Sequence, residues 1–225
     1  MPTVVLFDVD GTLLTCGGAG RVAMEAAFRE AVGRDDVCRF SFAGHTDRAI
    51  AREGLRGAGL EPDEAAIDAF LERYLGHLEP ALDRSEGYSV FAGATVLLDA
   101  LEGRDGWAIG LGTGNVERGA RAKLRRGGLD PRFGFGGFGC DHEERPRLIA
   151  AGAARGAQRL GVAVESCRVI VIGDTTRDVD AARAIGAECL AVATGSASVE
   201  TLREHGATLT VAALTDAPVR AFLEL

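Results

Sequence analysis

The stretch Val4-Val5-Leu6-Phe7-Asp8-Val9-Asp10-Gly11-Thr12-Leu13 takes an unbroken apolar run straight into two carboxylates and a glycine turn. Apolar throughout and rich in branched side chains, the run has the pattern of a strand buried on both faces of a parallel sheet. Asp8 and Asp10 stand at i and i+2 and so share one face of the strand's end. Open parallel sheets bind their ligands at the carboxyl ends of strands. Two like charges this close repel, and burying either is costly unless a cation lies between them. Asp10-Gly11 taken alone would also serve as an ordinary turn.

Working outward, similar short runs recur at residues 107–111, 169–172, 189–193 and 208–211, with a weaker one near 133–138. Between them lie segments rich in Ala, Leu, Arg and Glu with helical spacing, as at Val96, Leu97, Ala100 and Leu101. This alternation predicts an α/β fold, a doubly wound parallel sheet with helices on both faces. Residues 16–85 break the alternation. They carry helical stripes at Val22-Ala23-Ala26-Ala27, over 50–55 and over 66–78, a helix start at Glu61-Pro62-Asp63, and no convincing strand. The expected organisation is a core of residues 1–15 and 86–225 interrupted by an α-helical insert at 16–85.

The formal net charge of −8 argues against a nucleic-acid or anionic-membrane partner, both of which call for a basic face. No apolar run approaches the roughly 20 residues of a membrane span. The N-terminus enters the first strand without the features of a leader peptide. Cys16, Cys38, Cys140, Cys167 and Cys189 are odd in number and without C-x-x-C spacing, which reads as free thiols in a reducing compartment. Cys140 and His142 have no second ligand pair to complete a metal site. The expectation is a soluble, cytoplasmic protein, monomeric or homodimeric.

A second buried strand runs into Gly173-Asp174-Thr175-Thr176-Arg177-Asp178. Asp174 stands at the strand tip and Asp178 one helical turn further on. Thr175 and Asp178 have the spacing of a capping box, and Asp174 could itself cap the helix. Set beside Asp8 and Asp10, these carboxylates supply further metal ligands, and an oxygen-only set points to magnesium rather than zinc. A third strand ends in Gly110-Leu111-Gly112-Thr113-Gly114-Asn115. Its glycines let backbone N–H groups approach an anion, and Thr113 adds a hydroxyl, though a plain glycine turn has the same composition. Arg145, with Arg147 in reserve, could supply a fixed cation for charge developing on phosphoryl oxygens.

Together the set resembles the haloacid dehalogenase superfamily, in its phosphatase branch. That family's D-x-D-G-T-[LV] matches Asp8 to Leu13, its strand-end Thr or Ser matches Thr113, and its G-D-x-x-x-D matches Gly173 to Asp178. The third motif departs: the usual Lys, often followed by Pro, is Arg145-Pro146 here. The resemblance implies a Rossmann-like core and a helical cap at 16–85. It implies that Asp8 attacks phosphorus and that Asp10 acts as acid and then base. Mg2+ would sit on Asp8, the Asp10 backbone carbonyl and Asp174, with Asp178 supporting it directly or through water. Thr113 and the Gly114 amide would hold the phosphate, with Asn115 beside them. In the cap, Gly44-His45-Thr46-Asp47-Arg48 is the candidate recognition loop, with His45 and Arg48 reading the leaving group. The expected activity is magnesium-dependent hydrolysis of a small phosphorylated metabolite, with a lean towards the phosphoglycolate phosphatase group. Competing readings are a phosphomutase, a hydrolytic dehalogenase, which would lack Asp10, and a non-catalytic phospho-ligand module on the same fold.

Overall fold

The computed structural model describes residues 1–225. The chain begins with β1 (Thr3–Phe7) and a short β2 (Leu14–Cys16). Three helices follow: α1 (Ala19–Val32), α2 (Asp47–Gly57) and α3 (Glu64–Arg84). It returns through β3 (Tyr88–Val90), α4 (Ala92–Leu101), β4 (Trp107–Gly112), α5 (Glu117–Arg126) and β5 (Gly136–Gly137). The last part is α6 (Arg145–Leu160), β6 (Arg168–Gly173), α7 (Thr176–Ala184), β7 (Glu188–Val192), α8 (Val199–Glu204), β8 (Leu209–Val211) and α9 (Ala217–Phe222). Six strands form a parallel sheet in the order β5-β4-β1-β6-β7-β8.

Strand alternation sorts the core. Val4 and Leu6 join Leu148, Ile149, Ala153, Val179 and Leu202 on one face, so α6, α7 and α8 cover it. Val5 and Phe7 face the other way, into a cluster with Leu97, Leu98, Leu124 and Val219 that continues into α1 and α3. Each such buried side chain contributes about 1.5–3 kcal/mol. No helix is long and apolar enough to cross a membrane. The five cysteines form no disulfide.

Three details differ from the pattern expected of the sequence. The weak strand near 133–138 shrinks to Gly136-Gly137. Helix α6 lies so close there that a Cβ on Gly137 would fall 1.8 Å from the Leu148 carbonyl oxygen. Helix α1 buries Ala23, Met24, Ala27 and Phe28 and leaves Val22 exposed, so its apolar stripe is rotated from the expected one. Phe28 meets Phe70 of α3 at 4.3 Å between ring centroids, which sets that rotation. Finally, β2 and β3 pair antiparallel, Leu14 with Val90 and Cys16 with Tyr88, forming a ribbon at the two crossings between sheet and helical insert. Three-residue strands carry too little pattern to be read from sequence. Within the insert Thr46 caps α2 and Asp63 caps α3, each accepting a backbone N–H from the residue three further on.

Candidate active site

The site follows from sheet order and register. After β1 the chain goes out to β4 on one side, then crosses back to β6 on the other, so β1 marks the point where the winding reverses. Phe7 pairs with Leu111 on β4 and with Ile172 on β6. The residues just beyond those rungs are Asp8, Thr113 and Asp174, and they meet at one edge, where such sheets bind ligands.

Asp8, Asp174 and Asp178 bring carboxylate oxygens within 4.8 Å of one another, and all three are buried. Arg145 lies among them, with Nη2 2.8 Å from Asp8 and 2.6 Å from Asp178, and with Nε donating to Asp178 at 3.0 Å. Arg147 instead pairs with Glu144 in solvent. Asp8 also accepts from the Val9 amide at 2.8 Å. Asp174 accepts from Thr12 at 3.2 Å. The turn around it tolerates only glycine. A Cβ on Gly11, which has φ of +81°, would come within 2.4 Å of Asp174 Oδ2, and one on Gly195 still closer.

Burial pushes the Asp8 carboxyl up to about 6, with Asp178 adding to the effect and Arg145 opposing it. Burial, then Asp178 and Asp8, pushes Asp174 up to about 8. Carboxylates crowded to this degree lack positive charge, and a divalent cation on oxygen donors would supply it. The residues therefore fit a hard metal ion, chiefly through Asp8 and Asp174. Asp178 is differently placed. Its Oδ2 accepts from the Thr175 amide and hydroxyl in a capping box, and its Oδ1 accepts the Arg145 fork. With these contacts Asp178 orients Arg145 while its carboxylate stays within 4.8 Å of the other two, the supporting position expected of it.

Two further expectations give way. The Asp10 side chain lies outside the carboxylate cluster. Its Oδ2 accepts from Lys123 Nζ at 2.6 Å and from Asn115 Nδ2 at 2.9 Å. Burial alone would raise the Asp10 carboxyl, but Lys123 and Asn115 hold it below the usual range. Asn115, expected beside the phosphate, has both amide hydrogens committed, to Asp10 and to Thr113, and its carbonyl accepts from Lys123 at 2.5 Å. Lys123 is a site residue that the motifs do not reveal. The available signal was a lysine on the buried stripe of α5, between Ala120 and Leu124.

The insert closes over this edge. The Asp47 amide donates to the Gly114 carbonyl at 2.8 Å, and the Asp47 carboxylate accepts from the Val116 amide at 2.8 Å. A Cβ on Gly114 would fall 2.5 Å from the His45 carbonyl oxygen, so this contact requires glycine. His45 reaches the cleft, where its ring Nε2 accepts from Arg177. Arg48 does not. Glu64 and Asp68 of the same insert capture its guanidinium, which lies in a separate outer groove. The N–H groups of Asp10 and Gly114 have no acceptor within the chain. They lie beside Asp8 and Thr113 and could bind phosphoryl oxygens.

The sheet's switch point thus gathers three buried carboxylates and a fixed arginine beneath the helical insert. Residues 2–186 match the family model of the haloacid dehalogenase-like hydrolases. The chain belongs to that family, and its relatives place it among the phosphatases. It is 31% identical over 207 residues to a phosphoglycolate phosphatase of Rhodospirillum rubrum, covering 87% of this chain and 81% of the relative. Identity to a phosphoglycolate phosphatase of Synechococcus elongatus is 30% over 192 residues, covering 85% and 84%. A solved hydrolase from Pseudomonas syringae superposes with a TM-score of 0.68 at 20% identity, covering 99% of this chain and 98% of that one.

Proposed function

We propose that this chain hydrolyses a small phosphate monoester through an aspartyl phosphate on Asp8, with Mg2+ held by Asp8, Asp174 and the Asp10 backbone carbonyl. The observation that carries this reading is Asp8 itself: a buried carboxylate tied to Arg145 at 2.8 Å and facing the cleft. Asp8 attacks phosphorus, and the bond from phosphorus to the ester oxygen breaks. Arg145, Thr113 and the free amides of Asp10 and Gly114 take the charge on the phosphoryl oxygens. Because Lys123 and Asn115 keep the resting Asp10 carboxyl ionised, Asp10 must first take up a proton from solvent; it gives that proton to the departing oxygen and recovers one from the water that cleaves the aspartyl phosphate and restores Asp8. The bound ion would supply positive charge to the nucleophile and the phosphoryl group. Residues 16–85 act as a cap that excludes water during the first step.

Phosphoglycolate, the substrate in the names of both relatives, is the first ester to test. The experiment is phosphate release from phosphoglycolate and an aryl phosphate with Mg2+, followed by borohydride reduction of the quenched enzyme. Homoserine at position 8 is the expected product of the trapped intermediate. Turnover that survives in Asp8→Asn would refute the nucleophile.

A further inference from the structure

The cleft of about 270 Å³ between sheet edge and insert has a second wall, formed by α1 and the segment after it, and Arg21 stands in it. We infer that Arg21 selects esters whose leaving group carries a carboxylate, binding that group while the sheet edge holds the phosphate. This rests on the phosphatase reading above and extends it to the substrate's other end.

Charge compensation in the cleft singles out this residue. Arg145 is neutralised by Asp8 and Asp178. Lys123 is neutralised by Asp10. Arg177 can only donate, so His45 Nε2 keeps its lone pair and the ring is neutral. Arg21 differs from all three. Its guanidinium donates to two uncharged acceptors, the carbonyls of Cys38 at 3.0 Å and Phe40 at 2.9 Å. Its ion pair with Glu25 is long, at 3.8 Å, beyond hydrogen-bond reach. Glu25 therefore meets this charge only loosely, and the guanidinium keeps N–H donors for a further anion in the cleft wall.

The group is also held still. Its carbon lies 3.9 Å above the centre of the Phe42 ring, and the two carbonyls fix its plane. An arginine has five N–H donors, and two are used here, which leaves donors for a planar anion. A carboxylate matches that fork, and the cleft volume limits the ester to a few carbons. Preorganisation means that little side-chain entropy is lost on binding.

The test compares kcat/KM for phosphoglycolate and for ethyl phosphate, which has nearly the same length and no carboxylate. Wild type should prefer phosphoglycolate, and Arg21→Gln should reduce the ratio between the two substrates about ten- to hundredfold, chiefly through KM. Arg21→Lys, which keeps the charge but not the fork, should restore part of it. A ratio that survives Arg21→Gln overturns the assignment, as does a wild type with no preference. Calorimetric binding of phosphoglycolate to Asp8→Asn, with and without Arg21→Gln, separates this from the catalytic reading. Weaker binding in the double variant supports Arg21 whether or not turnover is found, and equal binding rejects it.

Discussion

Arg145 Nη2 lies 2.8 Å from the Asp8 carboxylate, and the same guanidinium is gripped from behind by Asp178 through two N–H bonds. Asp8 is thereby tied to α6 and α7 as well as to its own strand. All three groups are buried.

That arrangement makes Arg145 sensitive to shape as well as charge. Arg145→Ala leaves Asp8 and Asp178 buried without a partner. The expected cost is about 3–5 kcal/mol of stability. The expected loss in kcat is roughly 10²–10³-fold. Arg145→Lys keeps the charge but not the fork on Asp178, and should recover part of both. Steady-state kinetics with urea unfolding checks this; an alanine variant as active as wild type would exclude Arg145 from phosphoryl stabilisation.

Asp174 sets a pH dependence with a definite sign. Its folded-state value of about 8 lies above the ordinary 3.8. Between these limits the folded chain holds a proton that the unfolded chain has released. Its contribution to metal-free stability is therefore greatest below about pH 4 and is lost as pH rises towards about 8. Asp174→Asn should flatten that decline. Mg2+, which competes with the proton, should raise Tm more near pH 8 than near pH 6 in wild type and little in the variant. Thermal unfolding across this range, with and without Mg2+, measures the difference between the two proteins. A wild-type curve no steeper than that of the variant would contradict the assignment.

Lys123 holds Asp10 at 2.6 Å and so fixes the position of the side chain proposed to act on the leaving oxygen. Lys123→Met preserves length and loses the pair, at about 1–3 kcal/mol. Alkyl esters, which need a proton on the leaving oxygen, should slow far more than nitrophenyl esters, which do not. Equal losses on both would mean that Lys123 serves stability alone.

Gly114→Ala tests the closed cap. The added methyl would press on the His45 carbonyl, 2.5 Å away, and displace the hydrogen bond from the Asp47 amide to Gly114. We predict a KM roughly tenfold higher, equivalent to about 1.4 kcal/mol, with Tm lowered by only a few degrees, since the collision is confined to one loop. An unchanged KM would show that the loop need not rest on Gly114 during turnover.

Much of this protein is legible in its amino-acid sequence alone. Apolar runs ending in Asp8-Val9-Asp10-Gly11-Thr12 and in Gly173-Asp174 state, in local order, a buried strand and a carboxylate turn. Local order is what periodicity and turn chemistry can express. They determined the parallel α/β sheet and singled out Asp8, Thr113, Arg145 and Asp174, which the fold brings to one edge of it. Which side chains meet, at separations from a few residues to more than a hundred, was decided only in three dimensions. Lys123 reaches back to Asp10, Glu64 and Asp68 draw Arg48 away from the cleft, Thr175 and Arg145 engage the carboxylate of Asp178, and Asn115 becomes a strut. The physical reason is that a charged side chain takes the nearest opposite charge that packing presents, and packing is a property of the folded chain rather than of neighbours in sequence.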